Sequence, residues 1–171
     1  MAKTPSRNGA GRQYRLAHSR ALRLVPASGL VDDLVRGFSQ ARGRPIELVP
    51  FDLGAGSPTG LWVATKKADY IVFPVDASSS ERTAIICHEV AHMVLEHHAE
   101  AEAEVDPLSQ LTALVAPNVD PSVARQFLTR HGYTDSAEAE AEKLGTVLVA
   151  QLTRNAEAHA LRADPVSDRL R

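Results

Sequence analysis

Residues 88–92 read His88-Glu89-Val90-Ala91-His92, an HExxH pattern. Side chains four apart on an α-helix stand one above the other on the same face. Two imidazoles placed this way can hold one Zn²⁺ at ~2.0–2.1 Å each. Glu89 sits about 100° round the helix from His88, yet its side chain is long enough to lean toward the open coordination position. There it can act as a general base and take a proton from an attacking water. A chain of this composition carries HExxH by chance in roughly 2% of cases, so the pattern is informative but needs a third donor and a helix around it.

A zinc site of this kind takes three protein ligands. His88, His92 and His98 have the spacing of HExxHxxGxxH, but Leu95 stands where that pattern has a chain-turning glycine. On a continuous helix His98 lies about 15 Å along the axis from His88 and faces elsewhere. His97 and His98 then read as polar residues at a helix end, where cationic character suits the dipole. The other source is the acidic run Glu138-Ala139-Glu140-Ala141-Glu142. Glu138 and Glu142 share a helix face, and Glu140 points away. Ala141 and Gly145 lie on that same face and are small enough for close packing against the His88/His92 helix. Glu138 also follows Asp135 by three residues, so a capping-box role competes with a ligand role.

Several elements must position these residues. Ser78 and Glu81 have capping-box spacing and predict the start of the motif helix, which runs to about His97. Upstream, 61–65 and 69–75 read as the two strands of a hairpin. Residues 46–53 read as a further strand, at an edge because of Pro50. Residues 30–41 have helical apolar spacing, with Ser28 as cap and Gly43 and Pro45 as terminators. Downstream, 108–116 and 121–131 read as short helices. A last long helix starts at Asp135 or Ser136 and runs to about Leu161.

Together these pieces resemble the ImmA/IrrE family of metallopeptidase-like proteins, which are associated with helix-turn-helix regulators and mobile elements. The similarity runs from about residue 46 to 152. Its carriers are the hairpin 61–75, the segment Arg82-Thr83-Ala84-Ile85-Ile86-Cys87-His88-Glu89-Val90-Ala91-His92-Met93-Val94-Leu95-Glu96-His97, and Glu138-Ala139-Glu140-Ala141-Glu142-Lys143-Leu144-Gly145. The last is similar to the family's E-x-E-A-N-x-F-A stretch, with Glu142 where Asn or Asp is usual and Gly145 where Ala is usual. The resemblance implies Zn²⁺ held by His88, His92 and Glu138, with Glu89 as general base. It implies an α+β fold in which a small antiparallel sheet with its hairpin packs on the HExxH helix and a C-terminal helix supplies the glutamate. It also implies a zinc-dependent endopeptidase whose protein partner is a helix-turn-helix transcriptional regulator. The alternative is a regulatory or toxin–antitoxin binding partner that keeps the zinc-peptidase fold and cleaves little. An intact Glu89 favours catalysis, because a pure binder has no use for a base there.

Composition bounds the rest. The chain has 171 residues, enough for one domain, and 44% hydrophobic residues, enough for a core. No apolar run approaches the ~20 residues that cross a bilayer, so no membrane partner is expected. The single cysteine, Cys87, excludes a disulfide framework and a Cys-rich zinc finger, suits a reducing cytoplasm, and reads as a buried core thiol. Residues 1–23 hold six of the 19 basic residues and no acid, which leaves 13 basic against 21 acidic in the remainder. That stretch has no apolar h-region and is no secretory signal, although a transit peptide shares its basic character. It reads as a disordered tail, 1–23, ahead of a metallopeptidase-like domain, 24–162, and a C-terminal tail, 163–171. A recognition helix is lacking, so direct nucleic-acid contact is disfavoured. Tyr133 and His131 read as loop or capping residues ahead of any oxyanion role. The hairpin edge can accept an extended peptide.

Overall fold

The most apolar strand takes the centre of the sheet. In the computed structural model, which describes residues 7–52, 60–64, 68–97 and 133–163, β3 (Asp69–Pro74) lies between β1 (Ile46–Phe51) and β2 (Leu61–Ala64). Ile71, Val72 and Phe73 are buried, as suits a strand covered by neighbours on both edges. β2 and β3 form the expected antiparallel pair, with Leu61 opposite Val72. β1 pairs with β3 in parallel, with Ile46 opposite Asp69. The sheet is therefore mixed, which corrects the expectation of a purely antiparallel one. Its β-hairpin stands as read; the chain forms both edges before filling the middle. Pro50 sits on an edge strand, where its missing N–H costs no ladder bond.

One buried carboxylate ties the sheet to its flanking helix. Asp69, at the start of β3, accepts hydrogen bonds from Arg42 Nε at 3.1 Å and from the Trp62 indole Nε1 at 3.2 Å. Arg44 Nε lies 3.4 Å away. Arg42 closes α2 (Val31–Arg42), which buries Leu34, Val35 and Phe38 in the core. Ser28 serves this helix from outside, accepting the Leu30 N–H and donating to Asp33.

Residues 7–23 correct the tail reading. They form α1 (Arg7–Arg23), which packs on the two helices of the site and buries Ala21 completely. Tyr14, Ala17 and His18 are half-buried on the same side, while Arg12, Arg15, Arg20 and Arg23 face solvent. An inner face with Tyr14, two alanines, His18 and a single leucine, Leu22, gives little hydrophobic signal, and the arginines dominate the composition.

The motif helix, α3 (Ser79–Val94), starts at the predicted capping box. Ser78 Oγ accepts the Glu81 N–H, and the Glu81 carboxylate accepts the Ser78 N–H. The Ser78 hydroxyl, which donates to the Glu81 carboxylate at 2.6 Å, and then the Ser78 N–H hold that carboxyl below its ordinary pKa. The helix ends at Val94, about three residues earlier than expected. α4 (Asp135–Ala163) packs along it, and Ile86, Val90, Met93, Leu144, Leu148 and Leu152 interdigitate in the core. Cys87 is fully buried among them, and burial pushes its thiol up to about 12, the inert core thiol expected. Among the described residues, no helix is long and apolar enough to cross a membrane. The helices expected over 108–116 and 121–131 lie outside the described residues, as do 164–171.

Candidate metal centre

Two features bring α4 against α3 at the level of His88. Ala141 is fully buried there. Gly145 lies so close that an added Cβ would sit 3.2 Å from His88 Cα and 3.3 Å from His88 N. Only a residue without a side chain lets the two backbones approach this far without a shift. A third feature frees Glu138 for other work. The N-terminus of α4 is capped by Thr134, whose Oγ1 accepts the Ala137 N–H at 3.3 Å. Ala137, not Glu138, therefore occupies the capping-box position, and the competing role for Glu138 falls away.

Three donors converge as a result. His88 Nε2 and His92 Nε2 are 3.0 Å apart. Glu138 Oε2 is 3.3 Å from His88 Nε2, and its Oε1 is 3.7 Å from His92 Nε2. Donors around a tetrahedral Zn²⁺ with bonds of ~2.0–2.1 Å lie about 3.3 Å from one another. The three spacings bracket that value, so His88, His92 and Glu138 lie close enough to form a metal site. Two imidazoles and one carboxylate leave a fourth position open. Glu142 falls on the other side of the His88 ring, with Oε2 3.6 Å from Nδ1, and its side chain is largely exposed. His98 and His131 lie outside the described residues.

The electrostatics suit such a site. His92 is fully buried, and burial, with His88 and His97 beside it, depresses its pKa to about 3. It is therefore a neutral imidazole with a lone pair to offer. Tyr133 stacks on it, ring centroids 3.6 Å apart and planes 15° from parallel, which keeps water off that face. Burial, and then the Glu89 and Glu138 carboxylates, push the Tyr133 phenol up.

Glu89 is the unusual group. It is only 4% exposed, and its Oε2 has no hydrogen-bond partner among the described residues. Burial, and then the Glu138 charge, raise its pKa to about 8 against one stabilising bond from the Trp62 backbone N–H. The chain passes over it at Gly60, where a Cβ would lie 2.8 Å from Glu89 Oε1 and 2.5 Å from Ile85 Cγ2. Sequence reasoning missed Gly60. The available signal was a glycine just before a strand, which often marks close backbone approach. A cleft of about 540 Å³ opens beside the cluster, lined by Pro74, Ala77, Ile85, His88, Glu138 and Glu142.

The family model for Peptidase family M48 matches residues 59–170. The chain belongs to peptidase family M48. The match takes in β2, β3, α3 and α4, the elements that carry every residue of the cluster, while α1, α2 and β1 precede it. M48 peptidases are metal-dependent, in keeping with the His–His–Glu arrangement. The match shows a metallopeptidase family, M48, and does not support the ImmA/IrrE assignment that the motifs suggest. Neither a curated protein nor a solved structure matches the sequence.

Proposed function

We propose that the protein is a zinc-dependent endopeptidase whose substrate is a protein partner, a helix-turn-helix transcriptional regulator. The observation that carries the reading is the meeting of His88, His92 and Glu138 within 3.0–3.7 Å, with buried Glu89 beside them. Zinc bound there supplies Lewis acidity toward a peptide carbonyl and toward water. The chain's own residues do the rest. Glu89 accepts the proton of the attacking water and delivers it to the nitrogen of the leaving amine. Its carboxylate is aimed by the Trp62 N–H, and its raised pKa suits both halves of that task near neutral pH. β2 is an edge strand, so a peptide can add to it as an extended strand and run past Glu89. The choice of a regulator as substrate rests on the ImmA/IrrE-like segments 82–97 and 138–145.

The test is to identify a helix-turn-helix protein encoded by a neighbouring gene, mix it with the zinc-loaded protein, and follow both zinc content and cleavage. Glu89→Gln should keep its zinc and lose about 10²–10⁴-fold in rate. Glu138→Ala should lose zinc to mild chelation, and Glu142→Ala should retain it. Cleavage by the Glu89→Gln variant at the parent rate removes Glu89 as the base. Tight binding of the regulator without cleavage by the zinc-loaded parent favours the binding-partner reading instead.

A further inference from the structure

The end of α3 holds a second imidazole against the first. Leu95 caps the helix, and Glu96 takes a left-handed backbone with φ 56°. A non-glycine residue is uncommon in that region, and here it completes a Schellman turn. The Glu96 N–H bonds Met93 C=O at 3.3 Å, and the His97 N–H bonds His92 C=O at 3.0 Å. The turn folds His97 back over the helix it has just left. Its Nδ1 comes to rest 3.1 Å from His92 Nδ1. On its far side, His97 Nε2 lies 3.4 Å from Glu140 Oε2. His97 is largely buried, at 12% side-chain exposure.

From this geometry we infer that His97 and Glu140 are positioning residues, which fix the tautomer and ring orientation of His92 so that its Nε2 lone pair faces the metal position. Proton bookkeeping along the line permits one arrangement. His92 turns Nε2 toward His88 and Glu138, so Nε2 must be bare to serve as a ligand. Its proton then resides on Nδ1 and donates to His97 Nδ1, which must accept. The His97 proton is thereby placed on Nε2, where the Glu140 carboxylate accepts it. Metal-bound histidines commonly donate their second N–H to a carboxylate. Here an extra imidazole stands between the two, because Glu140 is on the α4 face turned away from Glu138 and cannot reach His92 directly. The alternation of acids along α4 acquires a division of labour: Glu138 faces the metal position, and Glu140 anchors the support behind it. The N-terminal helix takes part in this surround, since the Tyr14 phenol of α1 lies close enough for the Glu140 charge to raise its pKa after burial. Tyr14, Leu95, His97 and Glu140 line a cavity of about 460 Å³.

The inference rests on His92 being a metal ligand through Nε2, and the experiment separates the two claims. Two-dimensional ¹⁵N spectra of the metal-free protein report the tautomer of each histidine, and chelator competition reports zinc affinity. The metal-free parent should show His92 protonated on Nδ1 and His97 on Nε2. His97→Phe removes the acceptor and should weaken zinc binding about 10–100-fold, with a mixed tautomer at His92. His97→Asn places a carbonyl oxygen where Nδ1 stood and should recover most of that loss. Glu140→Leu should weaken zinc binding about 10-fold, and Glu140→Gln, which keeps an acceptor oxygen, should lose much less. Glu140 is partly exposed, so its variants keep the test open should His97→Phe fail to fold. Parent-like zinc affinity in both His97→Phe and Glu140→Leu, or a His92 protonated on Nε2 in the metal-free parent, overturns the relay. A parent that binds no zinc but shows the expected tautomers overturns the metal reading and leaves the relay standing.

Discussion

Asp69 and Glu89 are both buried carboxylates, and they are treated in opposite ways. Asp69 is fully buried and has partners on every side: Arg42, Arg44 and the Trp62 indole. Glu89 is almost as deep, yet among the described residues it has one backbone N–H, an orphaned oxygen and a neighbouring negative charge. A buried ion pair with satisfied hydrogen bonds fixes how elements meet. A buried carboxylate left short of donors destabilises the fold, and such groups cluster where chemistry needs a shifted pKa. The two carboxylates share a neighbour in Trp62, so their difference separates what holds this molecule together from what it is for.

The largest effect should come from breaking the saturated site. Asp69→Ala leaves Arg42 Nε and the Trp62 indole without their acceptor, removes the carboxylate that faces Arg44, and should cost about 3–5 kcal/mol, read by denaturant unfolding. Glu89→Gln should be nearly neutral by the same measure, because the carboxylate it replaces is already poorly served. Equal costs for the two variants would erase the contrast.

A pH titration of stability sharpens the comparison. The folded pKa of Glu89, about 8, lies above its unfolded value of 4.5. The folded state therefore binds more protons than the unfolded state between those values, and stability falls as pH rises through that window. For the metal-free protein the fall from pH 5 to pH 7 should be on the order of 2 kcal/mol larger in the parent than in Glu89→Gln. A bound divalent cation opposes the shift and should flatten the difference. A parent and variant with the same pH slope without metal would mean that Glu89 is better solvated than its burial suggests.

The smallest effect belongs to the backbone above Glu89. Gly60→Ala drives a methyl group into Glu89 Oε1 and Ile85 Cγ2, both side-chain ends that can give. It should cost about 1–3 kcal/mol and lower the hydrolysis rate by shifting Glu89. Unchanged stability and rate would show that the strand yields instead.

Much of the site was legible because its chemistry is local. The HExxH spacing, the Ser78–Glu81 box and the small Ala141 and Gly145 each act within a few residues, and each sits where its type suggested. The centre of the sheet was readable in principle, since Tyr70 to Phe73 is the most apolar run, but nothing local says that β1 pairs beside it in parallel. α1 is hard to read because its inner face mixes Tyr14, Ala17, Ala21 and Leu22, too weak an apolar stripe to stand out against exposed arginines. His97 was read as a helix-end residue because the turn that folds it back uses Glu96, not the glycine that announces such turns.

Trp62 touches both carboxylates. Its indole N–H donates to Asp69 at 3.2 Å, and its backbone N–H donates to Glu89. It is the chain's single tryptophan. Intrinsic fluorescence at tryptophan wavelengths therefore comes from one ring, on the edge strand, 5.8 Å from the Arg42 guanidinium. The molecule carries its own optical gauge: a shift in that emission reports, without any label, when the strand beside the candidate site moves.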